Sequence, residues 1–245
     1  MHSQSIPNVT LLEELGRGQG GVVYSALHRG DSCRVKIPSD RPPGANAARS
    51  FEQDALSAAR LRRAGLPRVL SVDSTEDMPY AILDVEQGET LPLALEQLAS
   101  EFQLLQLARS LTACLRALHD AGFVHGGLTA QHVLVSRDGV LVSWLDKGTI
   151  RRPDPFDPRD DLQALGQMLL LICARLAHDS AALPILKKLA SELSTAGRLQ
   201  LSAVVLELDA LVSASISETR SYPPPTTDDL PATGVHSVSR KSRGE

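Results

Sequence analysis

The chain has 245 residues, 42% of them hydrophobic and 22% charged, with a formal net charge of -4 and a pI near 6.0. That is enough apolar chain to bury a sizeable core, which excludes a disulfide-stapled miniprotein and a wholly disordered chain. An acidic balance with 3% aromatic residues argues against a nucleic-acid surface, which needs basic stripes and stacking platforms.

Residues 1–10 read as a polar lead-in without a basic and then apolar segment, so no signal peptide is expected. No apolar run approaches the roughly 20 residues of a membrane span, and a cytoplasmic protein is expected. From 11 to about 85 the text is strand-like. Short β-branched runs (Val22-Val23-Tyr24, Arg34-Val35-Lys36-Ile37, Pro79-Tyr80-Ala81-Ile82-Leu83) alternate with Gly, Asp and Pro turns. One helix is predicted within this part, over 47–63, from Phe51, Ala55, Ala58, Ala59 and Leu61 at helical spacing. From 91 to 213 the text is mostly helical. Leu104, Leu107, Leu111, Leu115 and Leu118 form one buried stripe, and further helices are predicted over 161–175, 182–193 and 201–212. A β-hairpin is predicted over 133–145, around Ser136-Arg137-Asp138-Gly139. From 215 the shift to Ser, Thr, Pro and Arg predicts a disordered tail. Cys33, Cys114 and Cys173 are far apart and odd in number, as expected of reduced, semi-buried thiols. A small strand-rich part followed by a larger helical one predicts two lobes with a cleft between them, a common place for a ligand.

The most informative stretch is Gly16-Arg17-Gly18-Gln19-Gly20-Gly21-Val22-Val23. Its glycines let a backbone turn approach phosphate oxygens, and strand-like residues follow it, which disfavours a Rossmann turn. An ordinary flexible hairpin is the plain alternative. Lys36 lies beyond it in a β-branched strand, the only lysine before residue 147. In this order the residues resemble the bacterial Hanks-type Ser/Thr protein kinases over roughly residues 11–213. The resemblance implies an α+β, bilobal protein-kinase-like fold, with an N-lobe over 11–87 and a reduced, mainly helical C-lobe over 88–214. It implies that Gly16, Gly18 and Gly21 cover the phosphates of ATP, that Lys36 pairs with them, and that Val23 and Leu134 belong to the nucleotide site. Asp54 stands where the family has its lysine-pairing Glu, and Leu83 stands at the gatekeeper. Gly88-x-Thr90-Leu91 resembles the start of the helix that follows the hinge. His119 to His125 resembles the approach to the catalytic loop, and Asp161-Leu162-Gln163-Ala164-Leu165-Gly166 resembles the family's αF segment.

The pattern then breaks. Where the family reads H-R-D-L-x-x-x-N, this chain reads His125-Gly126-Gly127-Leu128-Thr129-Ala130-Gln131-His132. Gly127 replaces the Asp that accepts the substrate proton, and His132 replaces the Asn that holds magnesium, a hard ion that prefers oxygen. His125 is read as a hydrogen-bonded core histidine. Arg34 shares a strand face with Lys36 and stands where the family has a small residue over the adenine; it either fills that slot or reaches out to solvent. Two registers are open around Asp146. Asp146-Lys147-Gly148 retains the metal carboxylate, whereas Trp144-Leu145-Asp146-Lys147-Gly148, followed by Arg151-Arg152-Pro153, resembles lipopolysaccharide sugar kinases. From Asp146 to Asp161 is too short for an activation loop with its A-P-E anchor.

The expectation is therefore a pseudokinase: a binding or regulatory module with weak or no ATP binding, doubtful magnesium use and no efficient phosphoryl transfer. The alternative is an atypical active kinase, on protein or an envelope sugar, with Asp138 or Asp146 as base. A domain that binds no nucleotide is the third reading. Protein partners are expected. Thr226 or Thr227, with Asp229 following Thr226 at three residues, resembles the phosphothreonine motif read by FHA domains, so an active kinase and an FHA-type partner are candidates.

Overall fold

β-branched residues at alternating positions build the first layer. The computed structural model describes residues 6–18, 21–40, 42–60, 65, 68–76, 78–85, 87–136, 139–142, 155–196 and 200–221. Five antiparallel strands form one sheet: β1 (Val9–Gly18), β2 (Gly21–His28), β3 (Asp31–Ile37), β4 (Val69–Ser74) and β5 (Pro79–Leu83), in the order β1-β2-β3-β5-β4. The β2–β3 ladder sets Val22 opposite Ile37, Tyr24 opposite Val35 and Ala26 opposite Cys33 on one face. Those residues close on themselves in a core with Ile6, Met78, Tyr80 and Ile82. The other face carries Val23 opposite Lys36, Ser25 opposite Arg34, and Arg34 opposite Leu83. Leu83 packs with Ala58 of α1 (Ala45–Ala59) and with the helical lobe in one continuous core, so this second face looks toward that lobe.

The start of the chain corrects the expected polar lead-in. Ile6 is buried and β1 begins at Val9. Pro7 and Asn8 form a tight turn, with Asn8 in the left-handed region (φ 59) and the Val9 N–H donating to the Ile6 carbonyl at 3.1 Å. Asparagine tolerates that conformation because its short polar side chain bonds locally. The predicted helix over 47–63 is observed as Ala45–Ala59, and residues 61–64 lie outside the described set.

The helical lobe is organised by α3 (Glu101–Asp120), which follows β6 (Glu89–Thr90) and α2 (Leu91–Gln97). A reciprocal capping box opens it. Ser100 Oγ accepts from the Gln103 N–H at 3.2 Å, and Gln103 Oε1 accepts from the Ser100 N–H at 3.3 Å. Its leucine stripe is buried as predicted, with Leu104, Leu107, Leu111, Leu115 and Leu118 in the main core. Gly122 (φ 80) closes it in a Schellman-type end. Its N–H donates to the His119 carbonyl at 2.8 Å, and the Phe123 N–H donates to the Leu118 carbonyl at 3.2 Å. Phe123 is then buried against the same core, which fixes where the chain leaves the helix.

After a short 3-10 turn (Ala130–His132), β7 (Val133–Ser136) and β8 (Gly139–Val142) form the predicted hairpin, with β6 alongside β7. The lobe is completed by α4 (Arg159–Cys173), α5 (Ala182–Ala196) and α6 (Leu201–Ser221). The composition shift at 215 does not end α6. Ser213, Ser215 and Ser217 donate their hydroxyls to the carbonyls of Asp209, Val212 and Ser213, which satisfies them within the helix, and Ser215 is buried. The helix thus extends to Ser221, beyond the expected boundary at 214. No helix among the described residues is long and apolar enough to cross a membrane. None of the three cysteines is in a disulfide, and all three are buried.

Candidate functional site: the inter-lobe face and the loop after α3

The strand register decides the first half of the site. Gly16 pairs with Val23 and Gly18 with Gly21, so the glycines form the end of the β1–β2 hairpin. Gly21 is required by the sheet itself. It sits at φ 127, and a Cβ there would collide with the Ile37 carbonyl of β3. Val23, Lys36 and Leu83 lie on the face that looks toward the helical lobe and all three are buried, with Arg34 half-buried beside them. Lys36 is 9% exposed. Burial is the main influence on its ammonium and pulls its pKa down to about 8; the charge of half-buried Asp54 on α1 acts in the opposite sense and does not restore it. The structure therefore brings together Val23, Arg34, Lys36, Asp54 and Leu83 of the sequence-predicted set.

The second half is the loop between α3 and β7. Asp161, in the first turn of α4, is 1% exposed and holds that loop by its backbone. Its Oδ2 accepts from the His125 N–H at 2.7 Å and its Oδ1 from the Gly126 N–H at 2.9 Å, while His119 Nε2 lies 2.9 Å from Oδ2. Burial opposes ionisation, but the His119 contact and the two amides outweigh it and keep the Asp161 carboxyl below its usual range. The ring of Phe156 stands edge-on to His119, centroids 5.8 Å apart, and ties the segment before α4 to the same cluster. Sequence reading placed Asp161 in a motif without a role. The available signal was an acidic residue opening a strongly apolar helix.

The loop positions Gly127 half-buried, with no side chain where the family has an acid. His125 is fully buried, its ring centroid 5.2 Å from that of His132. His132 is buried too, and its Nδ1 accepts the Thr129 backbone N–H at 3.2 Å. A backbone amide can only donate, so Nδ1 carries no proton and its lone pair is engaged; the ring's other nitrogen carries the hydrogen when the imidazole is neutral. His132 thus presents neither an oxygen nor an uncommitted Nδ1, and the described residues of this loop do not fit the magnesium that kinases use. Leu134 is buried on β7 and pairs with Thr90. Asp138, Asp146 and the whole stretch Trp144 to Gly148 lie outside the described residues, as do Thr226 and Thr227. Among the described residues no group of His, Cys, Asp and Glu could hold a metal ion.

The family model described as protein tyrosine and serine/threonine kinase matches residues 9–153, more than half of the chain. The chain belongs to this family. Kinase relatives are similar at low identity. A probable serine/threonine-protein kinase of Clostridium perfringens is 26% identical over 136 residues, 54% of this chain and 20% of that protein. The serine/threonine-protein kinase/endoribonuclease of Oryza sativa is 28% identical over 165 residues, 57% of this chain and 18% of that protein. The mitogen-activated protein kinase kinase 10 of Arabidopsis thaliana is 28% identical over 138 residues, 56% of this chain and 44% of that protein. The kinase-like chain therefore spans less than half the length of these relatives. In kinase terms the sheet is the N-lobe, the α2–α6 part is the C-lobe, and the Asp161 contacts anchor the backbone of the catalytic-loop segment.

Proposed function

We propose that this kinase-fold chain is a pseudokinase, a binding or regulatory module that does not transfer phosphoryl groups efficiently. The observation that carries this reading is the loop from His125 to His132. Its backbone is held firmly by Asp161, yet Gly127 offers no proton acceptor and the His132 Nδ1 is committed to the Thr129 amide. Proton acceptance and charge neutralisation each contribute orders of magnitude to phosphoryl transfer, and both groups are absent from the positions that supply them. Nucleotide binding is weak and depends little on magnesium. Lys36 and the glycine hairpin favour an anion, while Arg34 crowds the place of the base. At millimolar nucleotide and a millimolar Kd, the added stability is only about 0.4 kcal/mol.

The test is incubation with labelled ATP and Mg²⁺ or Mn²⁺. No label is expected on the protein or on generic substrates, and label that disappears in Lys36→Ala would overturn the reading. Gly127→Asp alone is expected to stay inactive, because position 132 still lacks its oxygen ligand. The Lys36–Asp54 interaction favours a second reading, an atypical kinase of protein or envelope sugar with a displaced base. Under the first reading, partners are proteins of the cytoplasm, recruited by an active kinase that phosphorylates Thr226 or Thr227 for an FHA-type domain. Deletion of 216–245 should then abolish pull-down of that partner.

A further inference from the structure

We propose that the cavity between the start of β1 and the β2–β3 turn is a binding site for a small carboxylate with an apolar body, and that Arg29 pairs with the carboxylate. The ladder sets His28 opposite Asp31, which leaves Arg29-Gly30 as a two-residue turn. Both turn residues are left-handed, Arg29 at φ 55 and Gly30 at φ 95. A hairpin turn with two such residues favours Asn-Gly, Asp-Gly or Gly-Gly, because a bulky side chain is strained at positive φ. For the turn alone, arginine is a poor choice. A second tight turn holds it in place: the Arg29 N–H donates to the carbonyl of Asn8, itself left-handed, at 3.0 Å. Strain of this kind persists where the surrounding structure fixes it, and it concentrates at ligand sites.

The two turns border a cavity of about 480 Å³ that opens to solvent, a volume within the range of roughly 300–1,000 Å³ found for small-molecule sites. Its lining is mixed. Ile6, 3% exposed, Val9 and Leu27 supply apolar surface, and Asn8 and Thr10 add an amide and a hydroxyl. Arg29 is the charged residue of the described lining. Among the described residues no acid forms an ion pair with it, Asp31 of the same hairpin included. These groups select the ligand. A guanidinium stays charged at any accessible pH, and its planar fork matches the two oxygens of one carboxylate. One cation neutralises a monoanion and leaves a phosphate dianion half compensated. The apolar lining gains only from a ligand that carries an apolar body into it. The cavity is separate from the glycine hairpin: Val9 pairs with His28 at one end of β2 and Gly18 with Gly21 at the other, about 23 Å apart along the strand.

The test is an NMR titration of the full chain with hexanoate, hexylamine and inorganic phosphate, read at the backbone amides. Hexanoate is expected to shift the amides of residues 6–10 and 27–30 and to saturate in the millimolar range or below. Hexylamine, equal in length and opposite in charge, should leave them in place. Phosphate, which has no apolar body, should bind about tenfold more weakly than hexanoate or worse. Arg29→Gly relaxes the turn, so the variant should fold with an equal or higher Tm and yet bind hexanoate about tenfold more weakly or worse, as loss of one charge-assisted contact does. Arg29→Gln keeps the bulk and the strain and should lose hexanoate to the same extent. No saturable shift, shifts confined to other residues, hexylamine or phosphate binding as well as hexanoate, or undiminished affinity in Arg29→Gly would each overturn the proposal. None of these results bears on the catalytic loop, whose reading is tested by labelled ATP.

Discussion

Lys36 is the most informative residue to perturb, because its burial makes a quantitative claim. In the fold its pKa is lowered from 10.5 to about 8, chiefly by desolvation and only partly offset by Asp54. A lysine depressed in this way destabilises the fold wherever it must stay protonated. The cost is fully present below pH 8, and it is relieved as pH rises from the folded value of about 8 toward the unfolded one near 10.5. At 1.36 kcal/mol per unit, the depression corresponds to a cost of about 3 kcal/mol at pH 7. Lys36→Met keeps the length and removes the charge. It leaves Asp54 without its cation, but Asp54 is half-buried and water relieves part of that loss. The net expectation is a gain of about 1–3 kcal/mol at pH 7, a rise in Tm of roughly 2–4 °C per kcal/mol in a chain of this size. Urea unfolding at pH 7, 8, 9 and 10 provides the assay. Stability of the parent should climb relative to the variant across pH 8–10, with a slope of up to about 1.4 kcal/mol per unit, until the two converge. Other groups that titrate in that range act on both proteins and cancel in the difference. A variant less stable than the parent at pH 7, or a gap that does not change with pH, would refute the claim that Lys36 is held desolvated.

Two further outcomes follow from the C-lobe. Asp161→Asn should cost about 2–4 kcal/mol in urea unfolding, because one carboxylate now satisfies a buried and a part-buried backbone amide and contacts His119. The carboxyl is held below its usual range, so the parent loses this contribution only in acid, as pH falls through that lowered value, and the Asn variant should lack that acid-dependent loss. Gly166→Ala should cost about 1–3 kcal/mol by overpacking, since a Cβ there would crowd Ser194 Oγ and lie 2.7 Å from the Ala190 carbonyl, forcing α4 and α5 apart.

The parts of the fold that were legible in the sequence are those where one physical signal acts alone. The leucine stripe of α3 announces a helix because its face has nowhere to go but the core, and the alternation Cys33-Arg34-Val35-Lys36-Ile37 puts Arg34 and Lys36 on one face of β3. Where two signals compete, the reading slipped. Serines at 215 and 217 look like a tail by composition, yet each bonds a carbonyl of its own helix, and Ile216 adds apolar character to that turn. Ile6 stands in polar text, and its burial depends on the turn at Asn8, which composition does not encode. The role of Asp161 was hidden for a different reason. Its partners are backbone amides some 35 residues upstream, and amides leave no mark in a sequence.

The same distinction separates motif residues that report on activity from those that do not. Gly21 satisfies a glycine-loop motif, but the sheet demands glycine there whatever binds above it, because its φ is positive and Ile37 leaves no room for a Cβ. Asp161 and Gly166 satisfy the αF motif, and both are explained by packing and backbone hydrogen bonds. These positions match the kinase pattern because the fold needs them, so they carry little weight for catalysis. Positions 127 and 132 are different. The loop closes around a bare Gly127, and His132 holds its turn through Thr129, so the fold is satisfied without an acid or an amide at either place. At both positions chemistry rather than folding asks for a particular side chain, which is why they carry the proposed reading.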